Sequence, residues 1–321
     1  MHMFNRRDTL AGMMAMGTLA MAQSPAAAAS RQTFFRRVGL PIGLQVYTLG
    51  EEAGRDLDAT FTQVAAIGYR DLELPSLYGR TPADIRRAAD GAGVAISSLH
   101  LAAAPRGPAQ GLTLANPVAE IADSLGTLGA KRAVLPIMPF PDNMHLLPGE
   151  AMQAMMGRVI AAAGADLWKR TAALLNERAA ALNPLGIRLG YHNHNVEFAP
   201  IGQSNGWDIL VRETDPRLVD FELDVGWVAT AGRDPVDVLN SLKGRVAQLH
   251  VKDVARVNPV NFGLSMKPSD VGAGKLDWAR ILPAAYRAGV RHFYLEQEPP
   301  FVSSRMDAAR NGYAYLSRLR A

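Results

Sequence analysis

Four apolar runs in the second half of the chain alternate greasy and polar residues and end in groups able to hold a metal ion. They are Arg188-Leu-Gly-Tyr-His192-Asn-His194, Val219-Asp-Phe-Glu-Leu-Asp224, Val246-Ala-Gln-Leu-His250 and Phe293-Tyr-Leu-Glu296. Side chains alternate across a strand, so each run predicts one apolar face and one polar face. His192 shares its face with Gly190, Asp224 with Glu222, His250 with Gln248 and Glu296 with Tyr294. Four more strand patterns precede these, and the full set is Gly43–Leu49, Tyr69–Leu74, Ala95–His100, Arg132–Ile137, Ile187–Asn193, Leu218–Asp224, Val246–Val251 and His292–Glu296. Helical patterns fall between them: Asp56–Ile67, Pro82–Ala92, Pro117–Leu128, Asp166–Leu182, Pro235–Leu242 and Leu276–Ala288. Proline near the start and glycine just past the end punctuate several of them. Strands separated by helices form a parallel sheet covered by those helices. Polar faces on such strands must then line the inside of a closed barrel. The expected fold is a single (β/α)8 TIM barrel, with His and carboxylate groups at the strands' carboxyl ends, where barrel enzymes keep their active sites. A doubly wound open sheet, the rival architecture, has no need of eight consecutive strands with polar inner faces. One connection, between Met138 and Asp166, is too long for a plain loop and is expected either to cover the site as a lid or to be a decorative insertion.

The first residues change the domain picture. Arg6-Arg7 precedes an uncharged stretch from Leu10 to Ala22, and Ala26 to Ala29 lead into Ser30. A basic start, a short apolar core and small residues at a cleavage site make an export signal, and the arginine pair points to the twin-arginine route. Residues 1–29 are therefore assigned to a signal peptide and 30–321 to the barrel, with cleavage after Ala29 or Ala22. The apolar core falls short of the ~20 residues that span a bilayer, so the expectation is a periplasmic protein with no membrane anchor after cleavage. The chain has no cysteine, and a large single domain can dispense with disulfides. Its net charge of +4 is small for 321 residues. No basic block interleaved with aromatics is present, which speaks against a nucleic-acid partner. At 48% hydrophobic and 20% charged, the composition is ordinary globular material.

The inward-facing residues set the chemistry. His192, His194 and His250 with Asp224 and Glu296 at equivalent strand ends form a common set for a divalent ion such as Mn, Zn, Mg or Co, with either His192 or His194 as the ligand from the fifth strand. His194 is a second inward histidine, readable as a proton-moving base or as a partner that orients a ligand. His292 falls low on its strand and His145 lies in the long connection, so neither is expected to be a ligand. Gln45, Tyr47, Glu73 and His100 point inward from the first three strands, and Lys252, Asp253 and Glu298 follow ligand positions. Such neutral and acidic groups suit a polyhydroxylated ligand, a small sugar. Lys252 as the one inward cation is a poor match for a phosphate ester, which recruits arginine clusters or helix N-termini. For Gln45 and Glu73 a buried polar network closing the barrel is the other reading.

These motifs also carry a family resemblance. Tyr191-His-Asn-His-Asn-Val-Glu-Phe198, Leu223-Asp-Val-Gly-Trp227, His250-Val-Lys-Asp253, Val271-Gly-Ala-Gly-Lys-Leu-Asp-Trp278 and Leu295-Glu-Gln-Glu298 resemble the sugar phosphate isomerase/epimerase family of xylose isomerase-like barrels. The resemblance implies one divalent metal on His192, Asp224, His250 and Glu296. It departs from the ketose epimerases in two places, with His192 where they carry a glutamate base and Trp227, a stacking surface, where they carry histidine. The His-Asn-His version resembles relatives that include keto-inositol dehydratases and lyases of 3-keto-glycosides. The function expected is a metal-dependent sugar or keto-sugar isomerase or epimerase acting by proton abstraction beside a carbonyl. His194, Glu298, Glu197 and Lys252 are its candidate catalytic groups, and Gln45, Tyr47, Glu73, His100, Trp227 and Asp253 its candidate substrate contacts. A lyase, hydrolase or dehydratase on the same barrel and a sugar-binding protein with an idle site remain as alternatives. A deoxyribose-phosphate endonuclease is disfavoured by export and by the missing basic face.

Overall fold

The computed structural model describes residues 32–105, 111–141, 144–242 and 244–321. The proposed signal, with Arg6-Arg7 and both cleavage points, lies outside the described residues. Eight parallel strands close into a barrel: β1 (Gly43–Gln45), β2 (Asp71–Leu74), β3 (Ala95–His100), β4 (Arg132–Leu135), β5 (Arg188–His192), β6 (Val219–Asp224), β7 (Val246–Val251) and β8 (His292–Leu295). Each strand pairs with its sequence neighbours, and β8 pairs with β1 to complete the ring. This is the (β/α)8 barrel that the alternating pattern predicts.

Among the described residues, the helices are α1 (Phe34–Val38), α2 (Leu57–Ile67), α3 (Pro82–Ala92), α4 (Val118–Leu128), α5 (Met152–Leu182), α6 (Gly206–Glu213), α7 (Val225–Thr230), α8 (Pro235–Ser241), α9 (Trp278–Ala288) and α10 (Arg305–Leu316). Several start on a side-chain cap: Asp56 accepts from Ala59 N, Thr81 from Asp84 N and Asp277 from Arg280 N. Glycines 93 and 129 end α3 and α4 in the left-handed conformation that favours glycine. No helix among the described residues is long and apolar enough to cross a membrane.

The core lies between strands and helices. Leu44, Leu72, Leu99, Leu189, Phe221, Leu249 and Phe293 face outward from the barrel and are fully or almost fully buried beneath the helices. The lumen is polar. Two bulges adjust its register, one leaving Ser97 without a partner on β2 and the other leaving Ala247 without a partner on β6. Ser98, His100, Gln248 and His250, which follow these bulges, keep their inward aim. Phe34 and Phe35 of α1 pack edge-on against Phe293 on the outer face of β8, 5.8 and 5.6 Å between ring centres.

Three expectations need correction. The first strand stops at Gln45, whose side chain accepts from Tyr47 N at 3.1 Å and turns Val46–Leu49 into a tight 3-10 turn. The fifth strand stops at His192, so His194 reaches the site from a loop rather than from one strand layer higher. The long connection is half helix. There α5 begins at Met152, because a Met- and Ala-rich stretch favours helix and buries Met155, Met156, Val159 and Ile160 along one side. Gly164, at φ 57° and ψ −147°, breaks the helix before the predicted Asp166 start.

Candidate metal centre and active site

The four ligand candidates come from the ends of four barrel strands and meet. Ligand atoms of His192, Asp224, His250 and Glu296 lie within 4.8 Å of one another, and all four residues are buried. His250 Nδ1 stands 3.7 Å from Asp224 Oδ2 and in close contact with Glu296 Oε2; His192 Nε2 stands 4.0 Å from Asp224 Oδ2. Asp224 Oδ2, His250 Nδ1 and Glu296 Oε2 are buried and held by ion-pair contacts with one another and with Lys252 Nζ. One buried ammonium thus faces two carboxylates that crowd the same point as two imidazoles. Two imidazoles and two carboxylates converging in this way fit a divalent cation.

The far side of three of these ligands is anchored, which fixes their aim. His192 Nδ1 lies 3.1 Å from Glu222 Oε2 and His250 Nε2 lies 2.6 Å from Glu73 Oε2. Asp224 Oδ1 caps α7 by accepting from Trp227 N at 2.9 Å. Carboxylates behind metal-ligating imidazoles set tautomer and ring orientation. Glu73 and Glu222 are themselves held by Gln248, whose amide donates to Glu73 Oε1 at 3.1 Å, Glu222 Oε1 at 3.1 Å and Ser98 Oγ at 2.9 Å. Gln45 donates to Glu73 at 2.9 Å, and His100 reaches Glu222 at 3.0 Å.

This density of carboxylates governs charge. Burial opposes protonation of His250, but Glu222 and Glu296 outweigh it and hold its pKa well above the ordinary histidine value. His100 is likewise raised to about 9, burial being overcome by Glu73 and Glu222. His192 goes well below its ordinary value through burial and then through neighbouring His250. Lys252 Nζ sits 2.9 Å from Asp224 Oδ2, 3.2 Å from Glu296 Oε2 and 3.2 Å from Glu298 Oε1. Despite burial, those carboxylates raise its pKa well above the ordinary lysine value.

The cluster floors a pocket of about 210 Å³ of mixed lining, between Tyr47, His100, Ile137, Phe140, His194, Glu296 and Glu298. Tyr47, although in a turn rather than a strand, donates its hydroxyl to Glu298 Oε2 at 3.0 Å. Burial comes first, followed by Glu298, in raising the Tyr47 pKa. Trp227 lines the adjoining cavity with its ring 5.3 Å from that of His194 and 5.1 Å from Lys252 Nζ. His194 Nδ1 is buried with no hydrogen-bond partner. Burial, then Lys252, lowers the His194 pKa to about 3 and keeps its ring neutral.

Four sequence candidates sit away from this pocket. Gln45 and Glu73 are fully buried beneath the ligands and form the barrel-closing network. Glu197 accepts from Tyr191 OH at 2.7 Å and His194 N at 2.9 Å; both its oxygens are occupied in shaping the loop after β5. Burial raises its pKa to about 7. Asp253 accepts from the N–H groups of Val254, Gly272 and Leu276 and from Trp278 Nε1, which ties down the loop before α9. A Cβ on Gly274 would overlap that carboxylate, which accounts for glycine in the motif. His292 pairs with Asp71 at 2.9 Å far down its strand, and His145 is exposed, so neither joins the cluster. Glu222 and Gln248, which alternation places inward, gain a role the sequence does not assign: Glu222 backs His192, and Gln248 holds Glu222 and Glu73 in place.

No family model matches the chain. An inosose dehydratase of Geobacillus kaustophilus is 24% identical over 197 residues, 61% of this chain and 62% of that protein, so the match spans less than two thirds of the relative. Among solved structures, a sugar phosphate isomerase/epimerase from Parabacteroides distasonis superposes with a TM-score of 0.65 at 24% identity, covering 85% of this chain and 96% of the other. The fold is that of a xylose isomerase-like TIM barrel. A structure of IOLI protein with a bound zinc atom superposes with a TM-score of 0.58 at 13% identity over 86% of this chain and 96% of that one.

Proposed function

We propose that this protein is a divalent-metal-dependent lyase that removes water from a keto-sugar or related cyclic ketone. The single observation that carries the reading is the convergence of His192, Asp224, His250 and Glu296 on one buried point beneath a pocket that His194 lines. A divalent ion held by His192, Asp224, His250 and Glu296 would supply a Lewis acid for the substrate carbonyl. His194, whose ring lines that pocket, is assigned to take the proton from the carbon next to that carbonyl. The same proton, handed to the hydroxyl on the following carbon as its C–O bond breaks, leaves with it as water, and the carbon skeleton keeps the double bond. Glu298, with its oxygens engaged by Tyr47 and Lys252, accepts substrate hydroxyl hydrogen bonds and fixes the ring, while Trp227 offers it an apolar face.

Isomerisation or epimerisation, the first expectation from sequence, shares the proton-abstraction step. Elimination is favoured by the similarity to inosose dehydratases. The bound zinc described for the IOLI structure supports the metal. We also propose export to the periplasm by the twin-arginine route, which rests on Arg6-Arg7 and the apolar stretch after it. Trapping of unprocessed protein by an Arg6→Lys, Arg7→Lys variant tests that part.

Incubating the metal-loaded protein with keto-sugars and an inosose in deuterated water tests the chemistry. Loss of water with wild type and its absence with His194→Ala are expected. Solvent deuterium in recovered or rearranged sugar without water loss would return the assignment to isomerase or epimerase, and binding without any exchange would make it a sugar-binding protein.

A further inference from the structure

Lys252 follows the ligand candidate His250 by two residues and brings an ammonium group into the cluster. Its Nζ lies 2.9 Å from Asp224 Oδ2, 3.2 Å from Glu296 Oε2 and 3.2 Å from Glu298 Oε1. A lysine ammonium has three N–H donors, so these three carboxylates engage all of them. The residue is 1% exposed and lines neither the pocket above the ligands nor the cavity beside Trp227. A group so enclosed does not touch a substrate. The sequence places Lys252 among the catalytic candidates; its surroundings make it a positioning residue instead.

The neighbouring helix is shaped around that ammonium. A Cβ on Gly226 would fall 2.9 Å from Lys252 Cγ and 3.1 Å from Cδ, so glycine there lets the lysine stem cross the first turn of α7. Trp227, the next residue, donates its N–H to Asp224 Oδ1 at 2.9 Å and sets its ring 5.1 Å from Lys252 Nζ. A cation over an aromatic face is attracted to it. Gly226 and Trp227 thus fix the ammonium between two sets of carboxylates. On one side are Asp224 and Glu296, which converge with His192 and His250. On the other is Glu298, whose second oxygen accepts from Tyr47 OH at 3.0 Å.

We propose that Lys252 is a fixed competitor for the ligand carboxylates, which loosens the site's grip on a divalent ion by sharing Asp224 Oδ2 and Glu296 Oε2 with it. This inference rests on the ion of the proposed function. Two cations drawn to the same pair of oxygens repel each other, and each weakens the other's hold on that pair. The sign of the effect separates this role from a structural one. A lysine that merely kept the ligands in place would, when removed, let them drift and weaken the ion. Lys252, as a competitor, would on removal tighten it.

Zinc affinity, read by chelator competition, tests the sign. Lys252→Met keeps an unbranched stem over Gly226 and should bind zinc about 10–100-fold more tightly than wild type, the size of effect that groups behind a ligand have, in the opposite direction. Glu298→Gln removes a negative charge that the ammonium also holds, and should not tighten zinc. Thermal melts give a second reading for Lys252→Met and for Lys252→Gln, should the first fold poorly without zinc. The rise in Tm on adding zinc should exceed that of wild type, because tighter binding to the folded state stabilises it more. Zinc bound equally or more weakly by the Lys252 variants would overturn the competitor and leave the ion standing. A gain of the same size in Glu298→Gln would overturn it too, since sharing of the ligand oxygens would not be its source. Zinc bound by Lys252→Met and not by wild type would uphold the competitor and contradict the proposed function. Absence of zinc from wild type and variants alike would overturn both.

Discussion

The two ends of the barrel lumen use similar residues to opposite ends. At the bottom, Asp71 meets His292 at 2.9 Å and also meets Ser97, and Ser97 meets Tyr294 at 2.6 Å. Each of these contacting atoms has a hydrogen-bond partner. At the top, His250, Asp224 and Glu296 crowd one point, and Lys252 Nζ bridges Asp224 Oδ2 and Glu296 Oε2 at 2.9 and 3.2 Å. Residue type therefore does not distinguish a functional site from a structural one in this molecule. Geometry does. Donors and acceptors matched one to one hold strands together, whereas carboxylates and imidazoles converging on a single point suit a shared cation.

Substitution at either end tests this difference. The largest effect belongs to His250→Ala, which should abolish metal retention and turnover together while His292→Ala retains both; metal content and activity measured on the same preparations check this. His194→Ala should keep the ion but lower turnover by about 10²–10⁴-fold, the worth of a positioned base. If the ion is lost and activity returns when ion is added, His194 is a ligand's partner and not the base. Glu222→Gln should weaken metal affinity by about 10–100-fold, since it disturbs the grip on His192 rather than a ligand itself. A chelator-competition titration reads that figure. At the bottom, His292→Ala should cost only stability, about 1–2 kcal/mol for a partly exposed hydrogen bond to a carboxylate, seen as a Tm lower by about 2–4 °C.

A separate effect is a pH dependence of the metal-free protein. His100 is raised from the ordinary 6.5 to about 9 by Glu73 and Glu222, which outweigh its burial. A histidine with a raised folded pKa contributes stability that is complete below about pH 6.5 and fades as pH rises through about 9. Thermal melts in chelator across that window should fall with rising pH, and His100→Gln should flatten the slope. An unchanged slope in the variant would assign the dependence elsewhere.

The sequence shows the barrel because each strand carries its own alternation, and a period of two survives even where the ends are misplaced. It also shows the ligand quartet, since His192, Asp224, His250 and Glu296 end four successive alternating runs. Other parts escape it for physical reasons. The turn Val46–Leu49 reads as strand because its apolar residues alternate, and the cap from Gln45 that bends it is a side-chain event. α7 (Val225–Thr230) is buried on all sides and so shows no polar stripe. Glu197 and Asp253 resemble catalytic carboxylates until their backbone N–H partners are known, and the pattern of residue types does not reveal those. The left-handed backbone of Leu264 and its hydrogen bond to Asn195 leave no trace in the sequence.

The chemistry depends on a divalent ion held by His192, Asp224, His250 and Glu296 at the top of the lumen. Calorimetric titration of chelator-stripped protein with zinc, and separately with manganese and magnesium, tests it directly. Saturable binding of one ion per chain is expected in wild type and in His292→Ala, with its loss in His250→Ala. Binding that is absent from wild type, or that survives unchanged in His250→Ala, would contradict it.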